Sequence, residues 1–99
     1  MPILEKEIEA KVVKWAETKG FVVLKLNNQW SRGWPDRLFI SPLGKHIYIE
    51  FKRPGGRLRK LQRVRHKQLS HNCCLVFICD SIGDAFEILG SQAGSRTSC

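Results

Sequence analysis

The stretch DRLFISPLGKHIYIEFK, running from Asp36 to Lys52, decides the fold. Two β-prone runs, Asp36 to Ser41 and His46 to Lys52, flank Pro42-Leu43-Gly44-Lys45, a turn-forming connection suited to a hairpin. In the second run a period of two separates Ile47, Ile49 and Phe51 from Tyr48, Glu50 and Lys52. If Ser41 pairs with His46, Asp36 falls opposite Phe51; a slip of one residue puts it opposite Glu50. In either register Asp36 and Glu50 lie within a residue of each other on neighbouring strands, with side chains about 5–8 Å apart. Two carboxylates facing each other beside an apolar ribbon repel and are costly to desolvate. A hard divalent cation removes that cost, because Mg²⁺ takes oxygen ligands and commonly uses one or two carboxylates plus phosphate and water. Lys52 stands two residues beyond Glu50 on the same strand face, about 6.6 Å further along. There its ammonium can share a water or phosphate oxygen with the cation and offset charge that develops on a reacting phosphate. Glu50 and Lys52 alone would read as a surface salt bridge. Asp36 at hairpin distance, an acidic helix upstream and a basic helix downstream turn the reading toward chemistry.

Outward from the hairpin, Leu4 to Lys19 reads as an amphipathic helix, with Ile8, Val12 and Trp15 on one stripe and Val13 and Ala16 broadening it. Glu5, Glu7 and Glu9 crowd its first turns, where the helix dipole favours acids, and Gly20 supplies the stop. Phe21 to Leu26 is a strand, followed by a polar loop from Asn27 to Trp34 that carries Trp30, Arg32 and Trp34. Pro54-Gly55-Gly56 breaks the chain after the hairpin. A basic helix follows from Leu58 to His71, with Leu58, Leu61, Val64 and Leu69 expected to dock it on the core. Leu75 to Cys79 is an apolar strand expected to be buried on both faces, and Ile82 to Leu89 a closing helix ended by Gly90. The order αβββαβα describes a single α/β domain over residues 1–90, with a flexible tail over 91–99. The helix between the third and fourth strands allows them to lie parallel.

Charge separates this chain from an ordinary small domain. Its 99 residues hold 17 Lys and Arg against 9 Asp and Glu, a net charge of +8. Eight of the cations (Lys52, Arg53, Arg57, Arg59, Lys60, Arg63, Arg65, Lys67) fall between residues 52 and 67, where there is no acid. A run so unbalanced repels itself unless a polyanion neutralises it, which points to a phosphate backbone. The apolar face opposite the charges is too narrow for a membrane-surface helix, and no apolar run approaches the roughly 20 residues of a spanning segment. The N-terminus has no secretory h-region, so an intracellular, cytoplasmic protein is expected. The four cysteines (Cys73, Cys74, Cys79 and Cys99) form no metal-ligand spacing with His46, His66 or His71 and are expected to be free thiols.

Gly33-Trp34-Pro35-Asp36, Ile49-Glu50-Phe51-Lys52-Arg53-Pro54-Gly55-Gly56 and Leu61-Gln62 together resemble the PD-(D/E)XK nucleases, and more narrowly the virus-type replication-repair nuclease (VRR-NUC) domain. The resemblance covers residues 5–88. It implies a restriction-endonuclease-like αβββαβ core, with a mixed central sheet flanked by helices. It also implies a Mg²⁺- or Mn²⁺-dependent phosphodiesterase that cuts DNA with a metal-activated water and leaves a 5′-phosphate. Asp36 and Glu50 match the family's metal ligands, the backbone carbonyl of Phe51 the position that completes the metal sphere, Lys52 the catalytic lysine and Gln62 the glutamine of the following helix. For the first-helix glutamate the spacing to Gly20 selects Glu9, with Glu5, one turn earlier on the same face, as the alternative. Trp34 and Phe51 are bulkier than the aliphatic residues common at those motif positions.

Arg32, Arg53, Arg57, Arg59, Lys60, Arg63 and Lys67 are the candidate nucleic-acid contacts, and Trp30 and Trp34 could stack at a branch. His66 and His71 have nothing in the sequence to tie them to the carboxylates. Stand-alone members of the family resemble Holliday-junction resolvases, so a homodimer cutting four-way junctions is the leading expectation. The setting expected for it is the nucleoid of a bacterial or phage-infected cell. A flap or single-strand nuclease with the same chemistry, and a non-catalytic nucleic-acid-binding module, are the alternatives.

Overall fold

The computed structural model describes residues 4–27, 30 and 32–93. Along the chain these form α1 (Glu5–Thr18), β1 (Val22–Lys25), β2 (Arg37–Ile40), β3 (His46–Phe51), α2 (Lys60–His71), β4 (Leu75–Cys79) and α3 (Ile82–Ala93). The element order is the αβββαβα expected, in an α/β fold whose four-stranded sheet runs β1-β2-β3-β4. β1, β2 and β3 are antiparallel neighbours, and β4 returns through α2 to lie parallel to β3. α1 ends at Gly20 in a left-handed turn (φ +88°), in which the Gly20 and Phe21 amides donate to the Glu17 and Ala16 carbonyls.

Alternation divides β3 as the sequence requires. Ile47, Ile49 and Phe51 are fully buried with Phe39 and Cys79 against Ile8, Val12 and Ala16 of α1 and Ala85 and Leu89 of α3. Phe51 meets Phe39 edge-on at 6.3 Å, so the bulky aromatic at that position completes the core. α2 lies on the opposite face, the one carrying Glu50.

The hairpin adopts the slipped register: Ile40 pairs with His46 and Arg37 with Ile49. One step further along that ladder, Asp36 reaches the level of Glu50. Ser41 holds the turn, its hydroxyl accepting from the Lys45 and Leu43 amides at 3.0 and 3.3 Å.

Four expectations are corrected. β4 is an edge strand with a single neighbour, and Ile78 is half-exposed, so the strand is not buried on both faces. α3 continues through Gly90 to Ala93, because burial of Leu89 and packing of Ala93 on the core outweigh glycine's helix penalty of about 1 kcal/mol; residues 91–93 are therefore helical, and 94–99 lie outside the described residues. Leu61 and Val64 stay 43% and 45% exposed, because α2 turns Gln62 inward instead. Cys74 and Cys79 are free thiols, but Cys73 is disulfide-bonded. Among the described residues no helix is long and apolar enough to cross a membrane.

Candidate functional site

Three carboxylates converge at the open end of the hairpin. Glu5 from the first turn of α1, Asp36 from the residue before β2 and Glu50 from β3 each offer an oxygen, and all three oxygens lie within 4.8 Å of one another. Asp36 is fixed by the backbone, its Oδ2 accepting from the Phe51 amide at 2.8 Å. Glu50 is nearly inaccessible, at 1% exposure. Burial first, and the Asp36 carboxylate second, push its pKa up from 4.5 to about 8. Lys52 opposes that shift, with its Nζ 3.7 Å from Glu50 Oε2 and its side chain largely buried.

The donor set fits a hard dication. Three carboxylates each bring an oxygen within 4.8 Å of the others, and Glu50 Oε1 is buried with no hydrogen-bond partner. A carboxylate held so unfavourably is what a bound divalent cation would relieve.

Most sequence-selected residues arrive here. Asp36, Glu50 and Lys52 share one corner, and the backbone of Phe51 borders it. Gln62 reaches the site while also capping α2: its Oε1 accepts from the Arg59 amide at 2.8 Å, and its Nε2 donates to Glu50 Oε2 at 3.1 Å. The capping role and the site role are one arrangement.

Glu9 does not arrive. Its Oε2 accepts from Arg37 Nε at 2.6 Å, on the side of the sheet that α1 covers, and Glu5 stands beside Asp36 and Glu50 in its place. The cause is Arg37, which shares strand parity with Phe39 and therefore faces α1, where it captures the acid above it.

Sequence reasoning missed His66, whose Nε2 lies 3.8 Å from Glu50 Oε1. The available signal was helical spacing: His66 is one turn after Gln62, so both meet whatever Gln62 meets. Burial, then Lys52, hold the His66 pKa below its ordinary value. Its proximity places one histidine beside the carboxylates, which nothing in the sequence had tied to them; His71 stays exposed.

The basic residues of the run between residues 52 and 67 lie mostly on the surface. Arg53, Arg57, Arg59, Lys60, Arg63 and Lys67 are all exposed, and Arg63 donates to the Leu58 carbonyl at 2.9 Å. Arg32 and Arg59 line a cleft of about 420 Å³ with Asn27, Gly33, Leu61 and Gln62, so this cleft adjoins the acidic corner through Gln62. The loop reaches α2 closely at Gly33 (φ +83°), where a Cβ would come within 2.5 Å of Leu61 Cγ. Trp34 is half-buried beneath the Arg65 guanidinium, 4.5 Å from its ring centre. Trp30 is exposed.

No family model matches the chain. A curated protein of Acyrthosiphon pisum secondary endosymbiont phage 1, "Putative nuclease p44", is 36% identical over 67 residues, covering 68% of this chain and 72% of that protein. A solved structure of a VRR_NUC domain superposes with a TM-score of 0.77 at 23% identity, over 87% of this chain and 94% of that one. The chain belongs to the VRR-NUC nuclease family. The mixed four-stranded sheet flanked by helices is accordingly the restriction-endonuclease-like fold of that family.

Proposed function

We propose that this VRR-NUC domain is a Mg²⁺- or Mn²⁺-dependent endonuclease that hydrolyses DNA phosphodiesters. The single observation that carries the reading is the meeting of Glu5, Asp36 and Glu50 beside Lys52 at the edge of a basic surface. Glu5, Asp36 and Glu50, with the Phe51 carbonyl, would hold the cation; Glu5 replaces Glu9 in that set. A divalent cation there supplies Lewis acidity to the phosphate and lowers the pKa of an attacking water. Lys52 brings a fixed positive charge to the position where negative charge builds up on the phosphorus oxygens. Gln62 holds the Glu50 carboxylate in place while Asp36 is held by the backbone, so little reorganisation is needed at reaction. Arg32 and Arg59 in the adjoining cleft, together with the exposed Arg53, Arg57, Lys60, Arg63 and Lys67, would bind flanking phosphates.

Four-way junctions cut by a homodimer are the substrate and assembly we favour, in the cytoplasm of a bacterial or phage-infected cell. Support for association comes from β1 at the sheet edge, where Val22 and Leu24 are 55% and 45% exposed on the face away from the core. One gel comparing a four-way junction, a flap, a nicked duplex and a single strand tests the substrate. A preference for the flap or the single strand would overturn the junction assignment, and a sedimentation mass of one chain would overturn the dimer. Asp36→Ala should abolish Mg²⁺-dependent cleavage while junction affinity holds or rises, because one negative charge near phosphate is removed. Cleavage that survives in this variant would sink the reading, and junction binding without cleavage in the unaltered chain would leave a binding module.

A further inference from the structure

Two buried polar atoms without hydrogen-bond partners face each other across the site, Glu50 Oε1 and His66 Nε2, 3.8 Å apart. Orphaned buried groups are uncommon, and two aimed at each other are one feature rather than two accidents. The distance is about 0.8 Å beyond an ordinary N–H···O contact, a gap that a small side-chain rotation or one bridging water closes. The other carboxylate oxygen of the same residue, Oε2, already accepts from Gln62 Nε2 at 3.1 Å. Gln62 and His66 are one helical turn apart, so α2 brings a side-chain nitrogen toward each oxygen of a single carboxylate, and the His66 tautomer with its proton on Nε2 makes the second one a donor. Gln62 is the buried residue of this helix, and the His66 side chain is only 11% exposed, while Leu61 and Val64 are left in solvent. A helix that leaves Leu61 and Val64 nearly half-exposed while it buries a glutamine and most of a histidine, with Leu69 its one partly buried aliphatic residue, is oriented by the site as well as by apolar burial.

We propose that His66 is a positioning residue of the nuclease site, holding Glu50 Oε1 while Gln62 holds Oε2. The inference rests on the metal-dependent reading above and extends it to a residue outside the resemblance that identified the other positions. With both oxygens held, the Glu50 carboxylate cannot rotate about its last bond, and the pair of donors fixes the orientation it presents to Asp36 and Glu5. Outer partners of this kind typically change metal affinity about 10–100-fold when removed.

The test reads metal binding directly. Mn²⁺ uptake by the full chain is titrated by electron paramagnetic resonance, with thermal melts to establish folding, in the unaltered protein, His66→Leu, His66→Gln and Glu50→Gln. His66→Leu is expected to raise the Mn²⁺ dissociation constant about tenfold or more and to lower kcat with KM for DNA little changed. His66→Gln, which restores an amide donor of similar reach, is expected to recover most of both. A space-filling role alone would give the opposite ranking, with Leu tolerated at least as well as Gln, and that result would overturn the proposal. If His66→Leu does not melt cooperatively, His66→Phe takes its place in the same comparison. Mn²⁺ uptake lost in Glu50→Gln but unchanged in His66→Leu overturns the assignment of His66 alone. An unaltered chain that takes up no Mn²⁺ and cuts no DNA overturns the nuclease reading and this inference with it.

Discussion

The two faces of β3 do opposite things with the same strand. On one, Ile47, Ile49 and Phe51 are fully buried in an apolar cluster with residues of α1 and α3, and the burial stabilises. On the other, Glu50 and Lys52 are buried almost as deeply, but in the company of Asp36, Gln62 and His66. Desolvating these groups costs stability, and the cost is visible in the raised pKa of Glu50. Burial alone therefore says nothing about whether a face is core or site; the chemistry of the partners does. A chain of this size can tolerate such a corner because the apolar face lies back to back with it on the same strand.

The sharpest way to break this contrast is to remove the site acid and the core ring separately. Glu50→Gln should lower Mg²⁺-dependent cleavage by about 10³-fold, corresponding to roughly 4 kcal/mol of transition-state stabilisation. Above about pH 8 the same variant should melt no lower than the parent in EDTA, because there it removes a buried charge; cleavage rates and melts together check this. Phe51→Ala, one residue on, should do the reverse. It should cost about 3–5 kcal/mol of folding stability by denaturant titration, while the folded fraction keeps its Mn²⁺ affinity.

A pH series sharpens the same comparison. Glu50 has a folded pKa of about 8 against an ordinary 4.5, so the folded state binds this proton more tightly than the unfolded chain does. Its favourable contribution is complete below pH 4.5 and is lost as the pH rises through about 8. In EDTA the melting temperature of the parent relative to Glu50→Gln should therefore fall across that window. His66, with its pKa lowered, contributes in the opposite direction, and taking the difference between the two proteins removes its background. Saturating Mg²⁺ should flatten the fall; a difference that rises with pH would contradict the burial argument.

The smallest effect separates two glutamates one turn apart. Glu5→Gln should weaken Mn²⁺ binding measurably. Glu9→Gln should leave it unchanged and cost no more than about 1 kcal/mol, since its pair with Arg37 is only partly buried. Equal losses from both would erase the distinction that the structure draws.

Much of this was legible in order along the chain. Asp36 and Glu50 had to approach each other because a short hairpin leaves few registers, and Lys52 had to follow because strand alternation fixes its face. Gln62 was found through the family motif, but its double duty at the helix cap and at Glu50 was not, since that depends on how α2 is rotated. The basic run between residues 52 and 67 announced a polyanion from composition alone. His66 is legible only through its one-turn spacing from Gln62, because the crossover from β3 to β4, and not the local sequence, carries α2 over the Glu50 carboxylate.

The sequence by itself determined the strand alternation, the approximate meeting of two acids and a lysine, and the charge of the surface around them, because these follow from periodicities of two and 3.6 and from simple counting. Tertiary structure decided the hairpin register, the proximity of Glu5 and not Glu9 to Asp36 and Glu50, the rotation of α2 that buries Gln62 and most of His66, and the persistence of α3 past Gly90. Each of those depends on where one element docks upon another, and a shift of a single residue or helical turn there costs little in local propensity yet changes every partner at the site.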